Sequence, residues 1–192
     1  MPPSTGTPER TEPADGRPRR LVVLRHAKSA WPEGVPDRDR PLGPRGLRDA
    51  PAAGRFLAET GVLPDLVLCS PARRARHTWE LAAAELAAEL DAPPPTRHDP
   101  RLYGADAGEL LDLLHGVPDE AGTLVLVGHN PGLEDLVLLL AARGAGDALE
   151  RVRTKFPTSA TAVLTWQGTW PGLRPGGAFL TRMEVPRGHR AP

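Results

Sequence analysis

Short aliphatic runs alternate along this chain with longer stretches of helical spacing, separated by polar or proline-rich connections. Leu21-Val22-Val23-Leu24, ending in Arg25, is too short for a helix and reads as a strand buried on both faces, as in a parallel sheet. Trp31 to Arg45 holds four prolines and two glycines and reads as a long irregular loop, the kind of segment that rims a functional site. Leu47 to Thr60 has helical spacing, marked by Leu47, Ala50, Phe56 and Leu57 and stopped by Gly61, with Pro51 expected near its start. Leu66 to Cys69 is a second buried strand. Ser70-Pro71 then looks like a helix cap with proline in the first turn, and Ala72 to Leu90 is strongly helical until Pro93-Pro94-Pro95 breaks it. A helix from Asp106 or Ala107 to His115 presents Leu110, Leu111, Leu113 and Leu114. Thr123 to Val127 is a third buried strand, closed by Gly128-His129-Asn130-Pro131, and Glu134 to Arg143 a further helix. Thr161 to Trp166 and Ala178 to Val185 read as final strands joined by a Gly/Pro-rich connection. Residues 1–19 lack periodicity and are expected as a disordered tail, with a single domain over 20–186 and a short tail over 187–192. The alternation predicts an α/β fold: a three-layer α/β/α sandwich around a mostly parallel sheet.

Composition narrows the function classes. The 192 residues suffice for one domain with a substantial core. Acidic and basic residues balance at 24 each, so no net field favours nucleic acid or a membrane surface. Only Lys28 and Lys155 are lysines, so arginine supplies nearly all the positive charge. Cys69 stands alone, which excludes an internal disulfide and fits a reducing compartment. Inside Leu66-Val67-Leu68-Cys69 it reads as a small buried hydrophobe in preference to a nucleophile. Residues 1–20 hold no apolar signal core, and Leu136 to Ala142 is too short to cross a bilayer. The expectation is a soluble cytoplasmic protein.

Each of the three buried strands ends in residues suited to phosphate. Arg25-His26 ends the first; arginine offers a planar fork for phosphoryl oxygens and neutral imidazole is a nucleophile. The second runs into Ser70-Pro71-Ala72-Arg73-Arg74-Ala75-Arg76-His77-Thr78 at a helix N-terminus, where backbone N–H groups favour anions. The third ends in Gly128-His129-Asn130. If the strands are parallel, these ends share one edge of the sheet and their side chains converge.

The chain resembles the histidine phosphatase superfamily, with its phosphoglycerate mutase-like fold, and is most similar to the short SixA-type phosphohistidine phosphatases. The matching residues are Arg25-His26-Ala27-Lys28-Ser29, Asp39-Arg40-Pro41-Leu42 with Gly46, Ser70-Pro71 with Arg74-Ala75 and Thr78, and Leu102-Tyr103. Val127-Gly128-His129-Asn130-Pro131-Gly132-Leu133-Glu134 and Phe156-Pro157-Thr158-Ser159-Ala160 complete the set, which spans roughly residues 20 to 185. The resemblance implies that His26 attacks phosphorus and becomes a phosphohistidine, while Arg25, Arg74 and His129 hold the phosphoryl oxygens. Phosphoryl transfer needs chiefly positioning and neutralisation of oxygen charge. His129 is therefore expected protonated and His26 neutral, its second ring nitrogen held by an unidentified partner. Arg73 is the rival to Arg74, with Arg73 and Arg76 read as solvated and His77 as structural. Lys28 either touches substrate phosphate or sits on the rim, and Asn130 either touches ligand or caps the following helix. His98, His115 and His189 form no group, and nothing joins His26 and His129 at metal-ligand spacing, so neither metal nor other cofactor is expected.

Many ester-cleaving members of the superfamily carry a carboxylate that protonates the leaving oxygen. Here Asp37, Asp39, Asp99 and Glu134 are available and none stands out. An alkoxide needs a general acid, whereas an imidazole with a conjugate-acid pKa of roughly 6.5 can depart already protonated. The leading expectation is a metal-independent monomeric phosphatase acting on phosphohistidine in a protein. The alternatives are a small-metabolite phosphomonoesterase and a non-catalytic phosphate-binding module.

Overall fold

The computed structural model describes residues 16–189. Most of the expected N-terminal tail and the last residues of the C-terminal one lie outside it. Seven strands form one sheet in the order β3-β2-β4-β1-β6-β7-β5. They are β1 (Arg19–Arg25), β2 (Leu66–Cys69), β3 (Thr96–His98), β4 (Thr123–Gly128), β5 (Ala141–Gly144), β6 (Thr161–Trp166) and β7 (Ala178–Glu184). Pairing is parallel except where β6 meets β1 and β7, so β6 alone of these strands runs against the others.

The side-chain alternation of β1 divides the core. Leu21 and Val23 join a cluster with Leu110, Leu114, Leu133, Leu136 and Val152, from α3 (Ala107–His115), α4 (Gly132–Leu140) and α5 (Ala148–Thr154). Val22 and Leu24 face Leu57, Ala75, Trp79, Ala82 and Leu86, from α1 (Pro44–Glu59) and α2 (Arg73–Leu86). Helices thus cover both faces, and the three-layer α/β/α sandwich is the architecture found. Cutting one such buried leucine to alanine costs about 2–5 kcal/mol. Helices α1 and α2 meet where a Cβ on Gly54 would lie 2.1 Å from the Ala82 carbonyl oxygen, a contact only glycine permits.

Several expectations need correction. Helix α1 starts at Pro44, its first-turn proline, and carries Pro51 inside it instead of near its start. Helix α2 ends at Leu86, short of Leu90. Helix α4 stops at Leu140; Ala141–Gly144 leaves it as β5 because the backbone there pairs with β7. Local propensity of the alanines favoured a helix, and the ladder overrides it. Strand β3 has all three residues exposed, so it offers no apolar pattern; pairing with β2 alone makes it a strand. Helix α5 was not expected at all. At the C-terminal end, Arg187 Nη1 lies 2.6 Å from the buried Asp49 carboxylate of α1 and donates to the Thr158 carbonyl at 3.2 Å.

Candidate functional site

Parallel register assembles the site. Arg25 pairs with Gly128 and Cys69 with Val127, which sets His26, Ser70 and His129 side by side at the carboxyl edge. The edge is tied further by His26 N–H donating to the Gly128 carbonyl (3.0 Å) and Ser70 N–H to that of Val127 (2.9 Å).

His26 is buried. Its Nδ1 lies 2.7 Å from the Ala27 carbonyl oxygen. A carbonyl only accepts, so Nδ1 carries the proton and Nε2 presents its lone pair. This is the partner the sequence left unidentified: a main-chain oxygen one residue away. Arg74 Nε donates toward Nε2 over a long 3.3 Å. Burial pushes the His26 pKa down to about 3, with the Ala27 carbonyl acting against it and His129, Arg74 and Arg25 adding to it. The imidazole is neutral at any ordinary pH, as a nucleophile requires.

The backbone around His26 is braced on three sides. Thr78 Oγ1 accepts from Ala27 N–H at 3.0 Å and donates to the Arg74 carbonyl at 2.6 Å, coupling the end of β1 to the first turns of α2. Ser159, in the left-handed region at φ 66°, aims its N–H at the Arg25 and His26 carbonyls, 3.2 Å from each. Behind them, a Cβ on Gly46 would lie 2.2 Å from the Lys28 carbonyl oxygen, so α1 presses directly on the segment after the nucleophile.

Arg74 is the hub, with Arg73 and Arg76 exposed beside it. Its Nε faces His26, its Nη1 donates to the Asp37 carbonyl, and its Nη2 reaches Asp37 Oδ2 at 3.0 Å and His129 Nδ1 at 3.4 Å. Guanidinium only donates, so His129 Nδ1 is the acceptor and Nε2–H donates to Ser70 Oγ at 2.8 Å. His129 is therefore neutral in this site. Burial first, then Arg74, lower its pKa to about 4, against the pull of Asp37. The expectation of a protonated His129 is corrected: the ring is buried, and beside two arginines a third cation is unfavourable. The rings of His26 and His129 are 5.1 Å apart.

Arg25 Nη1 donates to the Phe156 carbonyl at 2.7 Å, and Asn130 Nδ2 reaches the same oxygen at 3.0 Å and Glu134 Oε2 at 2.7 Å. Asn130 thus spends its amide protons on the loop and on α4, and the cap position of α4 is Pro131. Lys28 is exposed, two residues beyond His26.

Asp37 is the largest departure from the sequence reading. Besides Arg74, its carboxylate takes Arg40 Nη1 at 2.8 Å and the Tyr103 hydroxyl proton at 2.5 Å. Tyr103 and Arg40 chiefly, with Arg74, hold its pKa far below the ordinary carboxylate range even though its side chain is 49% exposed. The Tyr103 ring meets His129 edge-on at 5.5 Å, and Trp31 lies over the Arg40 guanidinium at 3.1 Å. Asp37 is a fixed anion and not a proton donor. Of the other carboxylates, Asp99 pairs with Arg101 at 2.6 Å, Glu134 accepts from Asn130, and Asp39 is exposed.

Sequence reasoning gave Asp37 no role, quoted Tyr103, Thr78 and Ser159 only as matching residues, and read Ser70 as a helix cap. Their partners lie far away along the chain, 66 residues in the case of Tyr103 and Asp37, and no spacing signals such contacts. Cys69 is buried in β2 with its thiol pKa pushed up by burial to about 12, so it is inert. Among the described residues no three His, Cys, Asp or Glu side chains converge as a metal site, and no helix is long and apolar enough to cross a membrane.

Residues 21–122 match the histidine phosphatase superfamily (branch 1). The uncharacterized protein Rv1276c of Mycobacterium tuberculosis is 44% identical over 166 residues, covering 85% of this chain and all of its own. Among solved structures, the "Putative Phosphohistidine Phosphatase SixA" of Nakamurella multipartitia is 33% identical, with a TM-score of 0.74 over 88% of this chain and 96% of that one. The protein histidine phosphatase SixA complexed with tungstate shares the fold, with a TM-score of 0.68 at 23% identity over 86% of this chain and 96% of that one.

Proposed function

The chain belongs to the histidine phosphatase superfamily, and from that premise we propose that it removes the phosphoryl group from phosphohistidine in a protein, through a covalent intermediate on His26. The observation that carries this reading is the fixed tautomer of His26, with Nδ1–H committed to the Ala27 carbonyl and Nε2 presenting its lone pair between Arg74 and His129. Nε2 attacks phosphorus, the Nε2–P bond forms, and the substrate P–N bond breaks with its electron pair passing to the leaving imidazole. Arg25 and Arg74 neutralise the phosphoryl oxygens. A bound dianion also favours the protonated form of His129, turning it from acceptor to donor as the phosphoryl group arrives. Water then attacks the phosphohistidine, the pair of the P–Nε2 bond returns to Nε2, and inorganic phosphate leaves with the protons of the water.

The preference for a P–N bond follows from Asp37. An ionised carboxylate cannot protonate a departing alkoxide, and an imidazole that arrives protonated needs no acid. The similarity to the putative phosphohistidine phosphatase SixA of Nakamurella multipartitia supports this choice of substrate. Turnover of a phosphohistidine protein and of a panel of sugar, nucleotide and aryl phosphates, in EDTA, tests the reading against His26→Ala. Phosphohistidine should be the best substrate, with EDTA harmless, and His26→Ala should lose about 10⁴-fold or more. Faster cleavage of a metabolite ester, or an active His26→Ala, overturns it.

A further inference from the structure

Asp37 and Tyr103 form a corner of the site that can only accept hydrogen bonds. Tyr103 commits its one proton to Asp37 Oδ2, and Asp37 is a carboxylate held by Arg40 and Arg74. The corner sits one guanidinium away from the nucleophile, because Arg74 touches His26 Nε2 with Nε and Asp37 Oδ2 with Nη2. Oδ1 has one hydrogen-bond partner, Arg40, and the side chain is 49% exposed, so the carboxylate keeps acceptor capacity for a ligand.

We propose that Asp37 is the specificity-determining residue for the leaving group, accepting an N–H from the protonated nitrogen base of a phosphoramidate substrate. The inference rests on the reading above, which it deepens by naming what recognises the departing base. In phosphohistidine the protonated ring carries its N–H on the nitrogen remote from phosphorus. That proton binds Asp37, stays where it is while the P–N bond breaks, and leaves with the neutral imidazole. No proton crosses to or from the protein. An ester oxygen brings no hydrogen to the corner, so it leaves the free acceptor capacity of Asp37 unmatched.

The test compares wild type with Asp37→Asn on two substrates, a phosphohistidine protein and an aryl phosphate, by kcat/KM. Both rates should fall, because Arg74 loses its charged anchor. The phosphohistidine rate should fall about tenfold further, since the amide replaces an ionic acceptor by a neutral one. Tyr103→Phe keeps the carboxylate and should lower both substrates by a common factor. Phospholysine protein, whose leaving amine also carries N–H, should follow phosphohistidine. Equal losses on both substrates in Asp37→Asn overturn the inference and leave Asp37 as a positioning residue for Arg74. Failure of the functional reading is distinct, because it shows in the wild type as a preference for esters before any variant is made.

Discussion

His26 and Asp37 hold the same guanidinium from opposite sides, and the two sides of this site are built by different means. The His26 side is strand ends: buried, fixed by the pairing of β1 with β4 and β4 with β2, and braced by main-chain bonds from Ser159 and to Thr78. The Asp37 side is a residue of a short turn half open to solvent, its carboxylate held by side chains from Arg40, Arg74 and Tyr103. One histidine is kept neutral by burial and one carboxylate is kept charged by partners. Register places the nucleophile and side-chain pairing places the discriminator, so each half should fail in its own way.

Arg74→Lys should break the comparison most severely. Lysine keeps a charge but cannot span His26, Asp37 and His129 at once, so kcat/KM should drop about 100- to 1000-fold with little loss of fold stability. Steady-state kinetics beside urea unfolding separate the two. Next comes acid. His26 has a pKa of about 3 when folded and about 6.5 when unfolded. Below pH 6.5 the unfolded chain therefore binds the extra proton, and stability falls as pH drops toward 3 while staying flat above 6.5. By pH 4.5 the loss from this group is about 3 kcal/mol. Urea midpoints at pH 7.5, 5.5 and 4.5 should show that slope in wild type and a shallower one in His26→Asn; parallel slopes would mean that burial does not hold the ring neutral.

Ser70→Ala removes the acceptor of His129 Nε2–H and should cost about tenfold in kcat/KM, with the His129 ring signals in NMR reporting a lost tautomer preference. The smallest effect sharpens the loop side. Asp39→Asn, at the exposed end of the same turn, should stay within about twofold of wild type on every substrate. A large change there would mean that charge anywhere on the loop, and not contact at Asp37, sets the specificity.

The two sides were also unequally legible. Short apolar runs ending in Arg-His, Ser-Pro and Gly-His announced β1, β2 and β4 in turn, because strands buried on both faces must be continuously apolar and parallel strands bring like ends together. That was enough to bring Arg25, His26, Arg74 and His129 to one edge. Asp37 was among the available carboxylates but did not stand out, because its partners are arginines and a tyrosine brought in by the fold, and one acidic residue in a Pro-rich loop looks like any other. The two edge strands of the sheet were lost for a related reason. β3 has no buried face and β5 is two alanines followed by Arg143 and Gly144, so both exist only through the neighbour they pair with. His129 failed differently: its role as a phosphate ligand suggested a cation, and burial, with two guanidiniums alongside, makes the neutral ring the resting form.

The central position of β1 has a consequence for how the protein comes into being. The nucleophile precedes its structural partners in the chain: β1 lies between β4, opposite Leu124, and β6, opposite Leu164, and the carbonyl that Arg25 grips belongs to Phe156. A growing chain therefore holds His26 long before it holds a site. Contacts that span so much of the sequence close late and slowly. Fragments ending before Phe156 leave one edge of β1 unpaired and the Arg25 fork without its anchor, so interrupted synthesis yields a nucleophile with no pocket around it. Catalytic competence in this protein is acquired last, by the segment that carries none of the reacting groups.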